Sequence, residues 1–117
     1  MFVCILPYPP TVNTYWRHVG SRTLISRKGR QYRNDVAALL AGKQIEPMAG
    51  ELSVNVLVHP PDKRRRDLDN ILKSLLDSLE HGGAYNDDSQ ISYLQIRRGG
   101  IVKGGNVVVD ITEVTNP

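Results

Sequence analysis

The chain has 117 residues, 40% hydrophobic and 23% charged, an ordinary globular balance that reads as one domain over residues 1–117. No apolar run approaches the ~20 residues of a membrane-spanning helix. The apolar start at Met1 lacks a basic flank and stops at Pro7, unlike a signal peptide, and the single Cys4 excludes an internal disulfide and a cysteine-rich zinc site. These features fit a cytoplasmic protein with no membrane partner, and the net charge of +3 points to a polyanionic one.

Residues 2–6 read as a short apolar strand, ended by Pro7-Tyr8-Pro9-Pro10 because proline cannot donate to a ladder. The aromatic and basic segment Asn13-Thr14-Tyr15-Trp16-Arg17-His18 has no clear period and reads as a loop, with Ser21 or Ser26 available to cap the next helix. Residues 28–43 are expected to form that helix: Tyr32, Val36, Leu39 and Leu40 share one face, and Gly42 and Pro47 bracket the end. After a turn at Met48-Ala49-Gly50, residues 51–59 alternate as a half-buried strand does, with Leu52, Val54, Val56 and Val58 on one side.

The helix expected over residues 67–81 has the strongest period, through Leu68, Ile71, Leu72, Leu75, Leu76 and Leu79. Asp67 is placed to cap it and Gly82-Gly83 to stop it. Asn86-Asp87-Asp88-Ser89 makes a turn. Residues 90–98 and 106–114 read as strands joined by the glycine-rich stretch 99–105, a hairpin if they pair directly. The order β-α-β-α-β-β implies an α+β domain, a mixed β-sheet with helices packed on it.

The chemistry concentrates between Lys63 and Lys73. Lys63, Arg64, Arg65 and Arg66 form a basic run that is either a solvated loop or a phosphate cradle, and it leads straight into Asp67-Leu68-Asp69. If the chain doubles back along the helix, Asp88 returns to Asp67 and Asp69. Three converging carboxylates repel unless a cation sits between them, and an oxygen-only set suits Mg²⁺ or Mn²⁺ better than zinc. Lys73, one turn after Asp69, is either half of an ion pair or a cation for a scissile phosphate. Asp77 reads as a helix-surface or ion-pair residue. A DxD pair also occurs in glycosyltransferases, phosphotransferases and plain caps, but a phosphate loop of the G-x-x-x-x-G-K type is absent. The residues alone therefore reach metal-dependent phosphoryl or phosphodiester chemistry on a polyanion, with no organic cofactor.

At these residues the sequence resembles the RusA-type Holliday junction resolvases, small dimeric endonucleases of bacteria and their phages. Leu6-Pro7-Tyr8-Pro9-Pro10 with Asn13, Tyr15-Trp16-Arg17-His18, the run from Pro61 to Asn70, Asp87-Asp88 and Lys103-Gly104-Gly105 match the family's elements in order over nearly the whole chain. The resemblance implies a homodimeric, Mg²⁺-dependent endodeoxyribonuclease that resolves four-way DNA junctions by paired nicks, leaving 5′-phosphate ends, in recombination and repair. It puts the family's metal-binding carboxylates on Asp67, Asp69 and Asp88 and its essential lysine on Lys73. Lys63, often arginine in relatives, keeps the charge.

DNA contacts are expected from Lys63, Arg64, Arg65, Arg66, Arg17, Trp16 and Asn70. Trp16 and Tyr15 can equally pack on the core or a dimer interface, and Asn70 can equally stand behind the metal. The strand over residues 2–6 is a candidate edge for pairing across subunits. The alternative on the same residues is a non-catalytic branched-DNA-binding protein acting at junctions or forks.

Overall fold

The computed structural model describes residues 2–114, so Met1, the first residue of the apolar run, lies outside it. The chain runs β1 (Phe2–Pro7), α1 (Val12–Tyr15), β2 (Trp16–Val19), β3 (Arg22–Ile25), α2 (Arg27–Gly42), β4 (Leu52–His59), α3 (Leu72–His81), β5 (Ile91–Arg98) and β6 (Asn106–Glu113). This is the expected α+β arrangement with one added hairpin, β2–β3.

The main sheet has the order β1-β6-β4-β5. Strand β6 runs antiparallel to β1 and β4, and β4 runs parallel to β5. The last two strands therefore do not form a hairpin, because β4 lies between them. Parallel neighbours need a crossover, and α3 supplies it. The glycine-rich connection then carries the chain across the end of β4, with Gly104 and Gly105 both at positive φ and Val102 donating to the Pro60 carbonyl at 3.0 Å.

Alternation along β4 turns directly into burial. Leu52, Val54, Val56 and Val58 are buried while the residues between them are half-buried. Val107, Val109 and Ile111 of β6 and Cys4 and Leu6 of β1 share that covered face. Helix α2 closes it with Tyr32, Val36 and Leu40, and α3 with Leu75 and Leu79. Leu39, expected on the same stripe, is 45% exposed, because α2 rests on the sheet by a narrower stripe than its sequence suggests.

Two boundaries differ from expectation. Segment 13–18 is not a loop: α1 is one helical turn, and Trp16, Arg17, His18 and Val19 pair with Ile25, Leu24, Thr23 and Arg22. Gly20 supplies the positive φ of the tight turn, but the strands face no deep core and so carry no apolar alternation. The helix after the DxD begins as a 3-10 turn over Leu68–Ile71 and becomes α-helical only at Leu72. Asp67 precedes that turn in extended backbone, and its side chain makes no cap hydrogen bond, which leaves the carboxylate free. Ser26 does cap α2, accepting the Gly29 N–H at 2.9 Å. Among the described residues no helix is long and apolar enough to cross a membrane.

Candidate active site

Strand β4 ends at His59, and residues 60–67 sweep past the C-terminal end of β5. Between them lies a cleft of about 600 Å³ whose walls include Tyr8, Arg64, Arg65, Arg66, Asp67 and Arg98. Its wall is fastened at Arg66. Asp62 accepts both guanidinium nitrogens of Arg66, at 2.5 and 3.1 Å, and this partner, with the Arg64 N–H, lowers the Asp62 pKa to about 2. Arg98 Nη2 donates to the Arg66 carbonyl at 2.5 Å, and the Arg66 guanidinium lies 5.9 Å from the centre of the Tyr8 ring. Arg66 is thus largely neutralised. Lys63, Arg64 and Arg65 are exposed and have no carboxylate within 4.0 Å among the described residues, so their charge is not neutralised within the chain.

Asp67 and Asp69 are both exposed at the 3-10 turn. A smaller depression of about 330 Å³ adjoins Asp67, lined by Thr11, Arg65, Asn70 and Ile71 among others. The Ser74 hydroxyl donates to the Pro10 carbonyl at 2.6 Å, which holds the segment before α1 against α3. Lys73 is exposed one turn into the helix and forms no ion pair within 4.0 Å among the described residues, so the Asp69–Lys73 pair allowed by spacing is not made.

Asp88 lies elsewhere. Its N–H donates to Glu80 Oε1 at 2.7 Å, at the far end of α3. Two residues on, the Gln90 amide donates to the Met48 and Gly50 carbonyls, just before β4 begins. Asp67 comes after β4 has ended, and an eight-residue strand spans roughly 25 Å. The expectation that the chain doubles back to bring Asp88 to Asp67 and Asp69 is therefore corrected for the single chain. A crossover between parallel strands starts at one end of the sheet and finishes at the other. The carboxylates that do converge among the described residues are Glu80, Asp87 and Asp88, with oxygens within 4.8 Å of one another. Asp87 is already occupied as a cap, accepting the Ser89 N–H at 2.8 Å, which lowers its pKa.

Behind α3 sits a half-buried polar link. Asp77 accepts Arg33 Nη2 at 2.8 Å and the Tyr15 hydroxyl. Burial pushes the Asp77 pKa up, but the hydrogen bonds from Tyr15 and Arg33 and the nearby charges of Arg33 and Lys73 outweigh it and lower it overall. Asp77 is thus the ion-pair residue its position allowed. Trp16 is half-buried and packs edge-on to Tyr15 with ring centroids 5.0 Å apart, as the packing alternative describes. Arg17 points away from it, paired across the ribbon with Leu24.

The model of the family described as "Endodeoxyribonuclease RusA" matches residues 7–112. The chain belongs to the RusA endodeoxyribonuclease family. It is 47% identical over 111 residues to the crossover junction endodeoxyribonuclease of Enterobacteria phage HK97, covering 94% of this chain and 92% of that protein. It is 38% identical to that of Enterobacteria phage 82 and 37% identical to that of Escherichia coli K12, each over 112 residues, 95% of this chain and 93% of the relative. The RusA-family match covers both carboxylate positions along α3, the basic loop and the β2–β3 hairpin. Arg98 at the cleft and Glu80 beside Asp88 carry no signal in the sequence, because each reaches its place through the sheet register or the crossover.

Proposed function

We propose that this RusA-family chain is a metal-dependent endodeoxyribonuclease that resolves four-way DNA junctions as a homodimer. The observation that carries the reading is the free Asp67 carboxylate lining one cleft with free Lys63, Arg64 and Arg65, with the exposed Asp69 two residues on in the adjoining 3-10 turn. The donors are carboxylate oxygens only, which suits Mg²⁺, with Mn²⁺ as a substitute. A divalent cation bound there supplies Lewis acidity toward a phosphoryl oxygen and lowers the pKa of water. The chain's own residues do the rest: the free basic side chains fix the DNA backbone, and Lys73 sets a positive charge one turn from Asp69, where charge develops on the phosphate.

Asp88 serves as third ligand if a second copy provides it, since the chain's own Asp88 is a helix length away. A two-fold dimer in which each copy offers Asp88 to its partner's Asp67 and Asp69 gives two equal sites, as paired nicks require. An apolar patch on the sheet face away from the helices supports this reading. Ile5, Val108 and Leu57 stand in register across β1, β6 and β4, and at the edge strand Val3 and Ile5 are 46% and 63% exposed.

The test is a nicking assay on a mobile four-way junction, a fork and linear duplex, with and without Mg²⁺. Wild type should nick the junction in opposed strands only with metal. Asp69→Asn should bind the junction as well as or better than wild type and leave it uncut. A wild type that binds junctions and never cuts them in Mg²⁺ or Mn²⁺ refutes the reading.

A further inference from the structure

Charge is divided unevenly along the chain. Residues 1–34 hold six Lys/Arg and no Asp or Glu, whereas the other 83 residues hold nine Lys/Arg and all 12 acidic residues. Of those six, only Arg33 has a carboxylate within 4.0 Å among the described residues. Arg17, Arg22, Arg27, Lys28 and Arg30 are exposed on the β2–β3 hairpin and the first turn of α2. Like charges so close together repel, and none of these five is needed to fill the core.

The hairpin register sorts its side chains. Arg17 faces Leu24 and Val19 faces Arg22, so these four share one side of the ribbon, and all four are exposed. Trp16 and Ile25 share the other side and are half-buried. The outer side thus offers two guanidiniums for phosphates and two small apolar groups for the sugar edge between them. Four-residue strands carry this side about 13 Å outward.

The ribbon is held firmly at its base. The Ser26 N–H donates to the Tyr15 carbonyl at 2.8 Å and the Ser26 hydroxyl to the Thr14 carbonyl at 2.5 Å. The Tyr15 hydroxyl is bound to Asp77 of α3, the helix that comes after Asp69. Thr11, which opens α1, lines the same depression as Arg65 and Asp67. The hairpin therefore starts one short helical turn from the candidate site.

We propose that the outer side of the β2–β3 hairpin, with the first turn of α2, is a second DNA-contacting surface that grips the backbone of a duplex arm leaving the Asp67–Asp69 site. This rests on the nuclease reading above and extends it. Arg64 and Arg65 hold the strand at the site, and Arg17 and Arg22 hold the arm further out.

The test uses a labelled synthetic four-way junction, with binding measured without divalent metal over a series of NaCl concentrations. R17Q/R22Q should bind about tenfold more weakly at 0.1 M salt. Its log–log salt slope should fall by about 0.9 per lost phosphate contact, roughly two per protomer. R17K/R22K should restore affinity and slope, since lysine keeps the charge. R27Q/K28Q, outside the hairpin, should lower the slope in the same way with the hairpin fold untouched. Wild-type affinity and slope in R17Q/R22Q overturn the proposal. So does a shift from dimer to monomer in sedimentation with the slope unchanged, which would assign the hairpin to a second copy of the chain. Nicking by wild type is read separately. If wild type never nicks but R17Q/R22Q loses slope, the hairpin assignment stands and the nuclease reading falls. If wild type nicks and R17Q/R22Q binds normally, the hairpin assignment alone falls.

Discussion

Arg33 on α2 donates twice to one carboxylate oxygen of Asp77 on α3, from Nη2 at 2.8 Å and Nε at 3.0 Å. The same oxygen accepts the hydroxyl of the fully buried Tyr15. One side chain thus ties both helices to the base of the hairpin. Asp77→Ala leaves a buried hydroxyl and a guanidinium without their acceptor. The expected loss is about 2 kcal/mol, less than a fully buried pair would cost because both side chains keep some exposure. That is about 8 °C in thermal midpoint for a chain of this size. Asp77→Asn, whose amide oxygen still accepts, should lose less.

The same link sets an acid dependence. The folded-state pKa of Asp77 is lowered, so the folded state binds this proton less readily than the unfolded chain does. Its contribution to stability is complete above the unfolded value, near 3.9, and is lost as pH falls through the lower folded value. The stability gap between wild type and Asp77→Asn should be full at pH 6–7 and should narrow below about pH 4. Denaturant unfolding at several pH values measures it, and a gap that widens in acid would be the wrong sign.

Gly29 sits inside α2, where alanine ordinarily gains about 1 kcal/mol. Here an added Cβ would meet the Tyr15 carbonyl at 2.6 Å and Ile25 Cγ1 at 2.8 Å. Overpacking of this kind costs about 1–3 kcal/mol, so the net effect of Gly29→Ala should be destabilising. The hairpin should loosen first, as amide hydrogen exchange over residues 16–25 would register.

The separation of Asp67 from Asp88 gives a complementation test. Asp67→Asn and Asp88→Asn should each be inactive alone. Mixed and allowed to exchange subunits, they should recover nicking at about a quarter of the wild-type rate, because half of the dimers carry one intact site when Asp88 acts across the two-fold axis. The product should be nicked junctions without resolution. A mixture as dead as its components would mean that Asp88 does not serve the partner's site.

Cys4 is 2% exposed, and burial pushes its pKa to about 11 against a partial pull from Lys43. A thiol reagent at pH 8 should leave it unmodified in the native protein and label it once denaturant unfolds the chain.

Much of the fold is legible in the sequence where one periodicity dominates. The 2-residue alternation of Leu52, Val54, Val56 and Val58 and the helical spacing of Ile71, Leu75 and Leu79 each fix a buried face, because burial is what those patterns record. The β2–β3 hairpin was hidden, since Trp16, Arg17, His18 and Val19 pair with Ile25, Leu24, Thr23 and Arg22 and face no deep core. Partner choice among the strands was hidden as well. Nothing local tells residues 106–113 to pair with β1 and β4 instead of with β5.

The sequence by itself determined the chemistry: carboxylates at Asp67 and Asp69, a basic run leading into them, and a lysine one turn on, all within eleven residues whose relative placement a single turn and helix dictate. Only the tertiary structure decided which of these groups are free and which carboxylates meet. Asp62 takes up Arg66, and the parallel pairing of β4 with β5 sends Asp88 to Glu80 at the opposite end of α3. Those outcomes depend on strand direction and on contacts between residues distant along the chain, and local spacing carries no record of either.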